Sequence, residues 1–296
     1  MPAEPAIPTA EGSLSIGSFA DPLLVDPASS LLSAVVEAYR EAAPDLVDPD
    51  VSALRAAADG SSARGSDAAT PSTDLPSTSV LAAPVAFESV ASGFREASRL
   101  AALADADALE LLTLPDPQPN ALLVGDDGGC VLVEAADESA PRWRRVGDDP
   151  TLRDRYEPIV ADADPYRIDT PSRRRVYAAF ADRCGAAAAA DVVRLLDPGP
   201  ALDSADPVGP RIRAYAVGAR HGAHDRTLRR ACEDAGLGSP STFTRIKRRL
   251  IDAGLVETAR VARPVGRPRE RVVAVDPLAG PPIERVAAVL RESLED

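Results

Sequence analysis

The chain has 296 residues, 45% of them hydrophobic and 27% charged, which suits two globular domains and excludes a wholly disordered polypeptide. Its 46 acidic and 33 basic residues give a net charge of −13, which taken alone argues against nucleic-acid binding. No apolar run approaches the ~18 residues of a membrane span, and residues 1–12 lack the basic and apolar regions of a signal peptide, so a cytoplasmic protein with no membrane partner is expected.

Residues 1–12 are Pro- and Ala-rich and read as a disordered tail. Leu23-Leu24-Val25, flanked by two Asp-Pro pairs, reads as a buried strand. Ala28–Ala42 reads as a helix with Leu31, Leu32, Val35, Val36 and Tyr39 on one stripe. Leu54–Ala58 is a candidate second strand. Asp59–Ser79 has no apolar period and reads as a flexible insertion. A helix over Val85–Ala104 and a strand over Leu109–Leu114 follow. Asn120–Ala135 reads as a hairpin turning at Asp126-Asp127-Gly128-Gly129. Trp143, within Arg142-Trp143-Arg144-Arg145, marks either a packed strand edge or a contact surface. Asp148–Ala161 is a further helix candidate. The strand–helix alternation predicts an acidic α/β regulatory domain over 13–165, with 59–79 as its insertion. Residues 166–205 read as a helical connector, with one or two helices in Pro171–Leu196 and a break at Gly185.

The charge then changes sign. Asp206–Val275 holds 15 basic and 7 acidic residues, whereas the rest of the chain holds 18 basic and 39 acidic. Such asymmetry points to an anion-binding module, nucleic acid above all. Asp206-Pro207 can start a helix through Ala219, with Ile212, Tyr215 and Ala216 inward. Asp225 can cap a second helix, Arg226–Ala235, which buries Leu228, Ala231 and Cys232 and ends at Gly236. Ser239 and Pro240 open a third, with Phe243, Ile246, Leu250 and Ala253 on one inner face. Its other residues are Ser241, Thr242, Thr244, Arg245, Lys247, Arg248 and Arg249. Gly254 stops it. Leu255–Val261 and Arg271–Val275 then read as a hairpin around Arg263-Pro264-Val265-Gly266-Arg267-Pro268-Arg269-Glu270.

This order predicts a winged helix-turn-helix over 206–276, followed by a C-terminal helix within 281–296. The fold class expected is therefore an N-terminal α/β domain plus a C-terminal winged helix-turn-helix. Double-stranded DNA is the expected partner. The third helix can enter the major groove, where Arg245 and Arg248 can fork onto guanine and Ser241, Thr242 and Thr244 can reach bases or phosphates. Lys247 and Arg249 suit phosphates, which fix position rather than sequence. Arg267 and Arg269 at the wing tip suit a narrow minor groove, and Arg263 and Arg271 complete the cationic set.

The third-helix run Ser239–Leu250, then Asp252-Ala253-Gly254-Leu255-Val256-Glu257-Thr258, then Val265-Gly266-Arg267-Pro268-Arg269 resembles the TbsP-type transcriptional regulators of halophilic archaea. The similarity is close over Gly236–Val275 and looser at Leu23–Pro27, Asn120–Val124 and Asp169-Thr170-Pro171. It implies a transcription regulator, with regulators of this kind associated with central carbon metabolism genes. The chain departs from the family pattern in its 59–79 insertion, in fewer acidic residues around the first helix of the module, and in the added helix Pro282–Leu294.

Other chemistry is weakly supported. His221 and His224 are the only histidines and lack further ligands at zinc spacing, so no metal is expected. Cys130, Cys184 and Cys232 form no CxxC pair and no disulfide framework. Neither a phosphate-binding glycine motif nor a nucleophile elbow occurs, so no enzyme and no cofactor are expected. A protein-interaction winged helix, and an α/β enzyme with a DNA-binding tail, stay as alternatives. A homodimer using 171–196 and 282–294 on a pseudo-palindromic site is expected, with a small-molecule effector or partner regulator acting on the acidic domain.

Overall fold

The computed structural model describes residues 4–9, 12–62, 75–133, 142–146, 149, 151–261 and 269–294. The chain divides into two compact units: residues 1–48, 69–91 and 99–168, and residues 49–68, 92–98 and 169–296. In chain order the elements are β1 (Ala6–Thr9), β2 (Gly12–Ser15), β3 (Leu23–Val25), α1 (Ser29–Ala42), α2 (Pro44–Val47), α3 (Val51–Ser62), β4 (Thr78–Ala82), α4 (Pro84–Val90) and α5 (Phe94–Asp105). Next come β5 (Leu109–Thr113), β6 (Leu122–Gly125), β7 (Gly128–Val133), β8 (Arg142–Arg145), α6 (Thr151–Asp154) and α7 (Glu157–Asp162). The remainder comprises α8 (Arg173–Cys184), α9 (Ala186–Leu196), α10 (Pro210–Arg220), α11 (Asp225–Asp234), α12 (Pro240–Asp252), β9 (Val256–Val261), β10 (Arg269–Ala274) and α13 (Ile283–Leu294).

The first unit is an α/β layer structure, as the strand–helix alternation predicts. Its sheet has the order β5-β4-β3-β6-β7-β8, with β3, β4 and β5 parallel and β6 to β8 antiparallel. Leu24, Val80 and Leu111 face one core with Leu32, Val35, Tyr39, Phe87 and Leu103. Leu23, Val25, Leu81 and Leu112 face a second core with Leu152. A sheet buried on both faces explains why β3 reads as an unbroken apolar run. The Tyr39 hydroxyl lies 2.7 Å from Thr78 Oγ1, and burial pushes its pKa up to about 12.

Several sequence expectations need correction. Residues 6–9 and 12–15 form a two-stranded ladder instead of a disordered tail, with Ile7 fully buried. Leu54–Ala58 is helical within α3. Val51, Leu54 and Ala58 pack inward at helical spacing, and Asp50 Oδ1 accepts the Ala53 amide at 2.7 Å. Val85–Ala104 is broken between α4 and α5, where Gly93 bridges Pro200 and the Phe94 amide donates to Gly199 at 3.0 Å. Asp148–Ala161 forms two short helices instead of one. The 120–135 hairpin has a two-residue turn, Asp126-Asp127, because Gly128 and Gly129 belong to β7. Trp143 lies on the added edge strand β8, opposite Leu132. Of the insertion, 63–74 lie outside the described residues.

The second unit has one continuous core. Val176, Phe180, Val193 and Leu196 from α8 and α9 meet Tyr215, Leu228, Phe243, Leu250 and Val272, together with Val286 and Leu290 of α13. The connector and the C-terminal helix are thus built into the basic module. The apolar stripes of α9 and α13, expected to serve a dimer, are buried within this unit. α8 also braces the α11–α12 turn: Arg183 pairs with Asp234, and Arg175 Nε donates to the Asp234 carbonyl at 3.2 Å.

The crossing of α10 on α11 depends on Gly218. A Cβ at this position would overlap the side chain of Leu228, which is fully buried and cannot retreat. Gly218→Ala is expected to cost about 1–3 kcal/mol by overpacking, read as a lower urea midpoint at unchanged m-value.

Candidate nucleic-acid interface

α10, α11 and α12 follow one another through tight connections. α10 starts at Pro210, with Gly209 as its cap, later than the Asp206-Pro207 start read from sequence. Asp206 still makes a local turn, accepting the Val208 amide at 2.7 Å. α11 is capped by His224, and Asp225 is its first residue. The α11–α12 turn needs Gly236, whose φ of 81° is open to glycine at little cost. Leu237, next in sequence, is fully buried and anchors the turn in the core.

α12 forms as its sequence dictates. Ser239 Oγ accepts the Thr242 amide at 3.4 Å, and Pro240 occupies the first turn. Phe243, Ile246 and Leu250 are buried, with Phe243 stacked on Tyr215 at 6.1 Å between ring centroids. Ala253 caps the helix and is only half-buried. At about 3.6 residues per turn, Ser241 and Arg248 stand opposite this buried stripe. Thr244 and Arg245 lie to either side of them. All four are exposed.

The cations of α12 fall into different environments. Among the described residues, no carboxylate pairs with Arg245 or Arg248. Lys247 is 2.6 Å from Glu270 and 3.6 Å from Asp225, so its charge is already balanced. Arg249 donates to the Pro207 and Leu294 carbonyls at 3.1 and 3.2 Å, which pins the guanidinium without neutralising it. Thr242 is half-buried beside Arg245. Thr244 Oγ1 donates to the Pro240 carbonyl at 3.0 Å and accepts from Arg229 at 3.2 Å.

A buried polar network holds α12 against α10 and α11. Asp225 Oδ1 accepts from the Tyr215 hydroxyl at 2.7 Å, and Oδ2 accepts from Arg229 at 2.9 Å. Burial, reinforced by the Asp225 carboxylate, drives the Tyr215 pKa far above its ordinary value and keeps the hydroxyl a donor.

β9 and β10 pair antiparallel, from Arg269 opposite Val261 to Ala274 opposite Val256. β10 begins two residues earlier than the Arg271 expected from sequence. Val272 and Ala274 are buried, and Glu270, on the same face, meets Lys247. By the two-residue period of a strand, Arg269 and Arg271 project from the opposite face, and both are exposed. His224 bridges Arg271, fastening the hairpin beside the start of α11. Arg263 and Arg267, with the rest of the expected wing tip, lie outside the described residues.

His221 Nε2 lies 2.9 Å from Asp191 Oδ2. No group of three potential metal ligands occurs among the described residues. Cys184 and Cys232 pack in the core, and burial raises both thiols, Cys184 to about 11. Among the described residues, no helix is long and apolar enough to cross a membrane.

Sequence reasoning overlooked Arg211. It flanks Arg245 and Arg249 across a groove between α10 and α12, and its Nε donates to the Leu237 carbonyl at 2.8 Å. Its one signal was its place just after Pro210 in the first turn of α10, which the misplaced helix start concealed.

Comparison with protein families matches residues 172–291 to a model described as "Transcriptional regulator TbsP-like, C-terminal HTH domain". Residues 46–171 match a second, "Transcriptional regulator TbsP-like, N-terminal". No curated protein and no solved structure matches the chain significantly.

Proposed function

The chain belongs to the TbsP-like transcriptional regulators and is a DNA-binding regulator of transcription, and we propose that it reads its operators with α12 in the major groove and with the β9–β10 hairpin as a wing on the adjacent minor groove. The observation that carries this reading is the outer face of α12. Ser241, Thr244, Arg245 and Arg248 are exposed opposite a fully formed core, and among the described residues no carboxylate pairs with the two arginines. Arg248 is the base reader, because it is the exposed cation that stands opposite the buried stripe. Arg245 and Arg249 lean toward α10 and serve phosphates, as do Arg269 and Arg271 from the hairpin. Thr242 lines the same flank, and Lys247 positions the hairpin through Glu270.

The N-terminal unit is regulatory in this reading, receiving a small molecule or a partner regulator. Its match to the family's N-terminal model supports that role. The net charge of −13 and the single lysine, Lys247, fit the salt-loaded cytoplasm of a halophilic archaeon. Two copies on a pseudo-palindromic site complete the reading, with a pairing surface other than the spent stripes of α9 and α13. A stable monomer in sedimentation at working salt, with and without duplex, would remove the dimer from it.

The test is selection from a pool of random duplexes by the purified full chain, repeated across potassium chloride. Enrichment of one motif, with affinity falling as salt rises, is expected. Folded protein that enriches no motif at any salt would overturn sequence-specific reading and favour a protein-interaction role.

A further inference from the structure

The groove between α10 and α12 has a volume of about 340 Å³ and an amphipathic wall. Leu202, Ile212 and Ile246 form its buried floor, and Arg211, Arg245 and Arg249 stand along its edge. Two of the three guanidiniums are fixed in place by carbonyl oxygens: Arg211 by Leu237 at 2.8 Å, and Arg249 by Pro207 and Leu294. A carbonyl orients a guanidinium without cancelling its charge. Asp206, the one carboxylate lining the groove among the described residues, has an oxygen engaged by the Val208 amide. Three exposed cations thus line one groove, with a single carboxylate among the described residues, which makes the groove attractive to an anion.

The location narrows the anion. Arg245 and Arg249 belong to the helix that reads DNA, so an occupant of the groove lies along the strand bordering the major groove that α12 enters. The apolar floor suits a deoxyribose and the arginine edge suits its phosphate. We propose that this groove is a seat for one phosphodiester of the DNA backbone, with Arg211 as its arm from α10. The inference rests on the DNA-binding reading above and adds to it a phosphate contact from outside the recognition helix. Its consequence is a clamp: α12 is aligned on the duplex from the α10 side by this seat and from the hairpin side by Arg269 and Arg271.

The experiment measures duplex binding by the full chain across potassium chloride for the wild type, Arg211→Gln, Arg211→Lys and Ser204→Glu, each first shown to melt cooperatively. Ser204 is exposed and lines the groove from outside α12; its Oγ accepts the Asp206 amide at 3.2 Å but takes no part in the Arg211–Leu237 bond, so its replacement adds a carboxylate and leaves that bond in place. Arg211→Gln is expected to lower the slope of log affinity against log salt by about 0.9. It should also weaken preferred and unrelated duplexes alike, by about tenfold at low salt. Arg211→Lys should retain the slope, and Ser204→Glu should weaken both duplexes. An unchanged slope in Arg211→Gln and Ser204→Glu together, or a loss confined to the preferred duplex, would overturn the proposal. Inorganic phosphate is titrated in parallel at fixed ionic strength and followed by NMR. Saturable wild-type shifts that vanish in Arg211→Gln, with DNA slopes unchanged, would assign the seat to a free phosphate-bearing molecule and reject the backbone. Failure of the wild type to bind any duplex would instead strike the DNA reading itself.

Discussion

Arg248→Ala is expected to weaken binding to the preferred duplex by about 1–3 kcal/mol, roughly 5- to 150-fold, while binding to unrelated duplexes changes little. The size follows from what the side chain has to give. Arg248 is exposed, lies opposite the buried Phe243–Leu250 stripe, and pairs with no carboxylate among the described residues. Its removal therefore costs the fold almost nothing. What is lost is a fork of donors matched to the O6 and N7 acceptors of guanine. Arg248→Lys keeps the charge but not the fork, and should recover non-specific affinity without recovering discrimination. Competition titrations against single-base variants of the preferred duplex separate the outcomes. Discrimination must relax at one position only. A uniform loss across all sequences would instead make Arg248 a phosphate contact.

Asp225→Ala is expected to destabilise the C-terminal unit by about 3–5 kcal/mol. The carboxylate is 6% exposed and serves three partners at once: the Tyr215 hydroxyl, Arg229 and Lys247. Its loss leaves a buried hydroxyl without an acceptor and Arg229 without its carboxylate, while Lys247 keeps Glu270 alone. Asp225→Asn keeps an acceptor for Tyr215 and should lose less. Urea unfolding measures both. Because Lys247 also contacts Glu270, the hairpin should loosen before the helices do, seen as early amide exchange across 256–261. A loss below about 1 kcal/mol in Asp225→Ala would show that the network adds little to the fold.

The C-terminal module was legible in the sequence because its signals are local. Ser239-Pro240 fixes the start of α12, and Phe243, Ile246 and Leu250 show its inward face over three turns. The start of α10 was not legible, since Asp206-Pro207 and Gly209-Pro210 offer competing start signals and only packing selects the second. That error hid Arg211, whose role depends on standing in the first turn. In the N-terminal unit, Leu54–Ala58 is a short apolar run that suits strand or helix equally, and the inward spacing from Val51 decides for helix. The break between α4 and α5 is set by a bridge to Pro200, more than a hundred residues away in sequence, which no local pattern carries. β8 lies in an arginine-rich stretch that shows no strand alternation. The charge reversal after residue 205 was visible from composition alone, but not the fact that Lys247 spends its charge on Asp225 and Glu270 while Arg245 and Arg248 do not.

Entry of α12 into the major groove has a chemical signature on the DNA. The most direct test is methylation interference on the preferred duplex. Methyl groups at guanine N7 project into the major groove, and those at adenine N3 into the minor groove. N7 methylation at guanines within the site is expected to block wild-type binding, and Arg248→Ala is expected to lose sensitivity at one of them. Interference confined to adenine N3, with N7 methylation tolerated throughout, would rule out entry of α12 into the major groove.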